Sequence, residues 1–172
     1  MLERQTSYAL PAPVQGRDSI TVERPAAELW PLIADSTQLT QWGAPVKAVE
    51  VLDHPETVGS RRRIEATFGK KTGTFRERRI IHDGEHLAMA FVIEEDSFGI
   101  GKLLTNVGSL MELRPVTQSR TALVWSFFHQ PRGVLGRVIN RLVILRQQRH
   151  NRLRALESFK AFAERGVTRP AP

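Results

Sequence analysis

The chain has no cysteine among its 172 residues. That excludes thiol nucleophiles, disulfides and cysteine-based zinc sites. A fold held by its core alone also fits a reducing cytoplasm, which is the location we expect. No apolar run approaches the ~18 residues of a membrane-spanning helix, so no transmembrane segment is expected. The opening stretch, MLERQTSYALPAPVQG, carries Glu3 and Arg4 and lacks the apolar centre of a secretory leader. We read residues 1–16 as a tail, 17–166 as one domain and 167–172 as a second tail. A single domain of this length buries about 70% of its unfolded surface, enough for a sizeable core.

Acidic residues are the minority, 18 against 25 basic, giving a net charge of +7. Such a balance raises nucleic acid or an anionic membrane as partners. Aromatic residues are sparse, however, and do not interleave with the basic clusters as a base-stacking platform would require. Twenty of the 25 basic residues are arginine, spread through Arg61-Arg62-Arg63, Arg76, Arg78, Arg79 and the C-terminal third. They read as solvated faces, and nucleic acid is not favoured.

Familiar chemical motifs fail on inspection. Gly99 to Lys102, GIGK, resembles a phosphate loop, but that pattern needs glycine where Asp96 stands and serine or threonine where Leu103 stands. His82 to His86, HDGEH, spells a zinc signature that works only on a helix, whereas Asp83-Gly84 is a turn between two strand-like runs. No Gly-x-Ser-x-Gly elbow occurs. We expect no metal and no cofactor.

The dominant element is the stretch from Val134 to Arg165, which no proline interrupts and which Gly166 and Pro170 close. At ~1.5 Å per residue it would run roughly 45 Å, the full width of a domain of this size. A 100° step from Leu135 gathers Val138, Leu142, Leu145, Leu153, Leu156 and Ala163 into one stripe. Arg149 falls at the centre of that stripe and Lys160 also lies in it. Arg149 either snorkels to an exposed end or is a fixed cation facing a cavity, where it would need a carboxylate or an acidic ligand. Val143, Ile144 and Phe162 project away from the stripe.

Upstream, Ile20 and Val22 alternate with Ser19, Thr21 and Glu23 as a strand. Pro25 opens a short helix over Ala26 to Ala34 that Pro31 weakens. Asp35 with Gln38 forms a capping box for a second, about Ser36 to Gln41. Period-2 runs then follow at Val46–Leu52, Ser60–Phe68, Thr74–His82, Glu85–Glu94, Leu103–Leu113 and Arg120–His129, with Gly69 to Gly73 as a hairpin turn. The layout is α+β: about seven antiparallel strands curved around the long C-terminal helix, with two short helices after the first strand.

The segments SITVERPAAELWPLIADSTQLTQW, VGSRRRIEA, RERRI and TALVWSFFHQPRGVLG, followed by a terminal amphipathic helix, resemble the polyketide cyclase/dehydrase and lipid transport family. That family belongs to the START-like, helix-grip (SRPBCC) superfamily, and the resemblance covers roughly Ser19 to Arg165. It implies a hydrophobic cavity between the sheet and the last helix.

Choosing one face per strand gives the residues expected to line such a cavity. Ile64, Ala66 and Phe68 should face in, as should Leu87, Met89, Phe91 and Ile93. On the sixth strand Thr105, Val107, Ser109, Met111 and Leu113 compete with Leu104, Asn106, Gly108 and Leu110, and we place Ser109 and Met111 inside. On the seventh, Leu123, Trp125 and Phe127 are favoured over Val124 and Phe128. The helix would add Leu142, Leu145, Arg149 and Leu153. Three functions follow: binding or carriage of a small hydrophobic or amphipathic ligand; a cyclase or aromatase whose polar pair would be Glu65 with Arg149; or an interaction module in which the basic, apolar helix forms a homodimer or touches a membrane. His129, at a strand end, reads as a surface or loop residue.

Overall fold

Residues 8–165 are described by the structure, a computed structural model. Strand β1 (Val14–Val22) leads into helix α1 (Ala26–Ala34), a 3-10 turn (Ser36–Gln38) and helix α2 (Leu39–Trp42). Pro25 is extended and stands immediately before α1, where its missing N–H removes no helical bond. Asp35 ends that helix and starts the next turn, its carboxylate accepting from the backbone N–H of Thr37 at 2.8 Å. The second helix is therefore split into a 3-10 turn and one α-turn rather than the single helix expected from the capping box.

Six further strands follow: β2 (Val46–Val51), β3 (Arg61–Phe68), β4 (Lys71–Asp83), β5 (Ala88–Asp96), β6 (Leu104–Thr117) and β7 (Arg120–Pro131). They form one antiparallel seven-stranded sheet in the order β1-β7-β6-β5-β4-β3-β2, so β1 closes the far edge against β7. Register shifts between Arg76 and Glu77, Arg79 and Ile81, and Thr105 and Gly108 mark bulges that bend the sheet into a grip. Asn106, with φ near 50°, carries the left-handed residue of the bulge on β6.

The C-terminal element is continuous but not uniform. Helix α3 (Gly133–Ile139) passes through a π-turn (Asn140–Ile144) into helix α4 (Leu145–Ala163). The wider turn advances the phase, so the buried side is Gly136, Asn140, Arg152, Ala155, Leu156, Phe159 and Ala163. The predicted stripe holds only at its end, in Leu156 and Ala163. Leu135, Val138 and Leu142 face solvent, with Leu142 68% exposed, and Leu153 is exposed as well.

Two layers of apolar side chains hold the sheet. On the concave side Leu29, Ile33, Trp42, Ile64, Met89, Phe91, Met111, Leu123, Leu156 and Phe159 belong to one buried cluster. On the convex side Ala88, Ala90 and Leu110 are covered by Tyr8 and Leu10 together with Ile80 and Ile81. The Tyr8 hydroxyl donates to Asp83 Oδ2 at 2.9 Å, and Asn106 donates to the carbonyl of Pro11. Part of the expected N-terminal tail is thus a strap across the sheet, and Val14 to Gly16 already belong to β1. The tail expected at 167–172 and the first seven residues lie outside the described residues.

Candidate functional site

The concave face is built from alternate positions of the strands. On β3, Arg62, Ile64 and Ala66 are buried while Arg61, Arg63 and Glu65 are exposed. Met89 and Phe91 on β5, Ser109 and Met111 on β6, and Leu123 on β7 are buried on the same side. The register sets them in rows: Phe91 opposite Ser109, Ser109 opposite Phe127, and Met111 opposite Met89 and Trp125. Phe68, Trp125, Phe127 and Leu145 are half-buried. Of the residues expected from the helix, Leu142, Leu153 and Arg149 stand at the surface, turned out by the π-turn.

Glu65 also faces outward, so the expected Glu65–Arg149 pair does not form. The cation the helix directs inward is Arg152, one turn on. Its Nε donates to Asp18 Oδ2 at 2.7 Å, its guanidinium lies 5.5 Å from the centre of the Phe127 ring, and only 4% of it is exposed. Gly16 makes room for it: a Cβ there would stand 2.6 Å from Nη2 of Arg152. Arg149 reaches the same carboxylate only loosely, at 3.6 Å from Asp18 Oδ1.

An aromatic wall runs beside this ion pair. Trp125 stacks with Phe127 at 5.7 Å and meets Trp42 edge-on at 6.0 Å, and Trp42 in turn meets Phe159 at 5.2 Å. The indole N–H of Trp125 is shielded and finds no acceptor among the described residues, and the side-chain oxygen of Gln148 on α4 finds no donor. Farther along, Phe68 and Phe75 close against Phe98 in the loop between β5 and β6.

The largest departure from expectation is a buried charged cluster. Arg62 and Arg79, read from sequence as parts of solvated basic faces, are 5% and 0% exposed. Both Nε and Nη2 of Arg62 donate to Glu77 Oε2, at 2.8 and 2.6 Å. Arg79 donates to Glu56 Oε2 at 2.7 Å and to the carbonyls of Glu56 and Ala34. Ser36 is hydrogen-bonded to Glu56 and accepts from both guanidinium groups. The two guanidiniums lie 3.6 and 5.0 Å from the centre of the Phe91 ring. Burial pulls the pKa of Arg79 below its ordinary value, with the Glu56 carboxylate opposing. Burial, with the neighbouring Arg79 charge, likewise lowers that of His82, whose Nδ1 is 2.6 Å from Arg79 Nη1. The sequence held one clue: Arg62 has the same parity as Ile64 and Ala66.

His129 is a second correction. It is fully buried rather than at the surface, and its Nε2 is 2.7 Å from Oδ1 of Asn140 at the start of the π-turn. Burial lowers its pKa, so the imidazole is neutral.

The motifs set aside above have structural roles. Asp96 turns its carboxylate onto the backbone N–H groups of Ile100 and Gly101, at 2.8 and 3.1 Å, filling the nest that GIGK forms. In HDGEH, His86 pairs with Asp83 at 2.9 Å while His82 turns to Arg79 and Trp30. A groove of about 510 Å³ between the Asp53–Arg61 segment and the pair Arg78–Glu94 opens on the outer side, away from the helix. Among the described residues no helix is long and apolar enough to cross a membrane.

Residues 13–164 match the polyketide cyclase/dehydrase and lipid transport family, and the chain belongs to it. The Zhui aromatase/cyclase of Streptomyces sp. R1128 superposes with a TM-score of 0.71 at 19% identity, over 90% of this chain and 95% of that one. A START superfamily protein of Mycobacterium smegmatis does so with a TM-score of 0.69 at 11% identity, over 88% and 98%. Norcoclaurine synthase of Thalictrum flavum gives 0.72 at 11% identity, over 94% and 100%. These likenesses establish the helix-grip fold. Among curated proteins, none matches in sequence.

Proposed function

We propose that the protein binds and carries a small hydrophobic or amphipathic molecule between the concave face of the sheet and α4, in the cytoplasm. Trp125 carries the reading. Its ring is half-buried on an interior strand, it stacks on Phe127, and its N–H is shielded without an acceptor. Leaving such a donor unpaired costs ~1–3 kcal/mol. A ligand whose apolar body lies on the two rings and whose carbonyl or hydroxyl oxygen meets Nε1 would recover that loss. Gln148 stands ready for a donor on the same ligand, and Phe68 and Leu145 extend the apolar lining.

The test is titration with an environment-sensitive fluorescent fatty acid, alongside mass spectrometry of small molecules released on denaturation. Trp125→Phe keeps the ring and removes the N–H, and should weaken binding about fivefold, the worth of one neutral hydrogen bond. Phe127→Ala should weaken it further. Binding unchanged in both variants would refute the placement.

A cyclase or aromatase reading is favoured by one observation, a buried carboxylate facing inward beside Phe91. That carboxylate is Glu77, not Glu65. Glu77→Gln should then abolish turnover of a polyketide-like chain while ligand affinity survives.

A further inference from the structure

Between Arg132 and Arg154 the chain carries seven arginines, and no aspartate or glutamate occurs from Leu113 to Leu156. On the same stretch Val134, Leu135, Val138, Leu142 and Val143 are 72%, 66%, 49%, 68% and 53% exposed. Val134, Leu135, Val138 and Leu142 fall on one side, opposite Gly136 and Asn140. That orientation is locked. A Cβ on Gly136 would stand 2.7 Å from the Leu103 carbonyl, which also accepts from the Arg132 N–H at 2.8 Å, and Asn140 is held by His129. The apolar row therefore cannot roll onto the body of the protein. Further cations gather at this end: Lys102 adjoins Leu103, and Lys71 donates to the carbonyl of Phe98 in the same loop.

We propose that this face, from Arg132 to Val143, docks on an anionic lipid bilayer. An aliphatic ridge with flanking arginines and no acidic residue is the composition of a helix lying in a membrane interface. Its side chains enter the acyl boundary while the guanidiniums reach lipid phosphates. A second copy of the chain would bring arginine against arginine. A single-stranded nucleic acid would find the charge but not the aromatic surfaces on which bases stack. The inference is independent of what the interior carries.

The test is co-sedimentation of the full chain with vesicles of phosphatidylcholine alone and of phosphatidylcholine mixed with phosphatidylglycerol. The protein should pellet with the mixed vesicles at low salt and remain in solution with the neutral ones. Leu135→Ser combined with Leu142→Ser should weaken binding at least tenfold. Arg137→Glu combined with Arg141→Glu should do the same, since each arginine near the surface is worth about fivefold. Both double variants should keep the parent melting temperature, the side chains being exposed. Lys47→Glu with Arg120→Glu changes the net charge equally on other faces and should leave binding within twofold. Equal loss in that control would overturn the proposal, as would the absence of binding to mixed vesicles. A concentration-dependent dimer abolished by the leucine variants, without vesicle binding, would overturn it too and assign the face to a second copy.

Discussion

Replacing Glu77 by leucine removes the acceptor of both hydrogen bonds that Arg62 makes through Nε and Nη2. The guanidinium is then left beside Phe91 with Ser36 Oγ, 3.3 Å away, as its remaining polar contact, and with the Arg79 charge nearby. With Arg62 and Glu77 only 5% and 8% exposed, water does little to screen the loss. Breaking a buried pair from one side costs about 3–5 kcal/mol. For a domain of this size that is a fall in melting temperature of roughly 6–20 °C. Arg62→Met alone should cost somewhat less, because it also relieves repulsion on Arg79. The double variant, Arg62→Met with Glu77→Leu, replaces the pair by apolar groups of similar volume, and should return to within about 1 kcal/mol of the parent. Urea unfolding followed by circular dichroism measures all three, and urea, unlike guanidinium, does not screen the charges. If Glu77→Leu costs less than about 1 kcal/mol, the pair is not buried as described. If the double variant is as unstable as either single one, the pair contributes more than mutual neutralisation and the reasoning fails.

Gly108→Ala would set a Cβ 2.2 Å from the Phe91 carbonyl oxygen and 2.4 Å from Phe128 Cζ, so it should lose at least the ~1–3 kcal/mol of an over-packed core in the same assay. The revised helix phase predicts that Leu156→Ala costs about 2–5 kcal/mol, whereas Leu142→Ser stays within about 0.5 kcal/mol of the parent. Equal effects would restore the stripe read from the sequence. His129 and His82 have pKa values lowered by burial, so the unfolded chain takes up protons more readily. Stability should therefore be full above the ordinary histidine value of about 6.5 and decline as pH falls below it, by at most about 1.4 kcal/mol per pH unit for each histidine. Denaturation midpoints at pH 7.5 and 5.5 would show this, and His129→Gln should flatten the dependence.

The architecture was legible because its signals are local. Turn sequences bound the strands, and Ile64, Ala66 and Phe68 alternate cleanly with charged neighbours. On β7 the alternation blurs because the sheet is covered on both sides: Leu123 and Val124 are both buried, as are Phe128 and His129. On β6 the left-handed Asn106 resets the alternation, a shift that apolar spacing does not record. The helix was misread for two reasons. The π-turn adds to the angle swept, and the inward side carries Asn140, Gln148 and Arg152, which a hydrophobic count assigns to solvent. The buried arginines escaped because charge outweighed parity at Arg62, and the carboxylates that neutralise the pair, Glu56 and Glu77, come from different segments that only the fold brings together.

The π-turn also sets how this chain tolerates changes in length. Removing one residue between Asn140 and Ile144 would let the turn relax to ordinary α-helix and rotate everything downstream by about a quarter-turn against α3. Arg149 would swing toward the sheet and Arg152 away from Asp18, while Phe159 would leave Trp42. The helix therefore works as a gear with one widened tooth. Substitutions along it act singly, but a deletion at that tooth would re-index every residue after it at once.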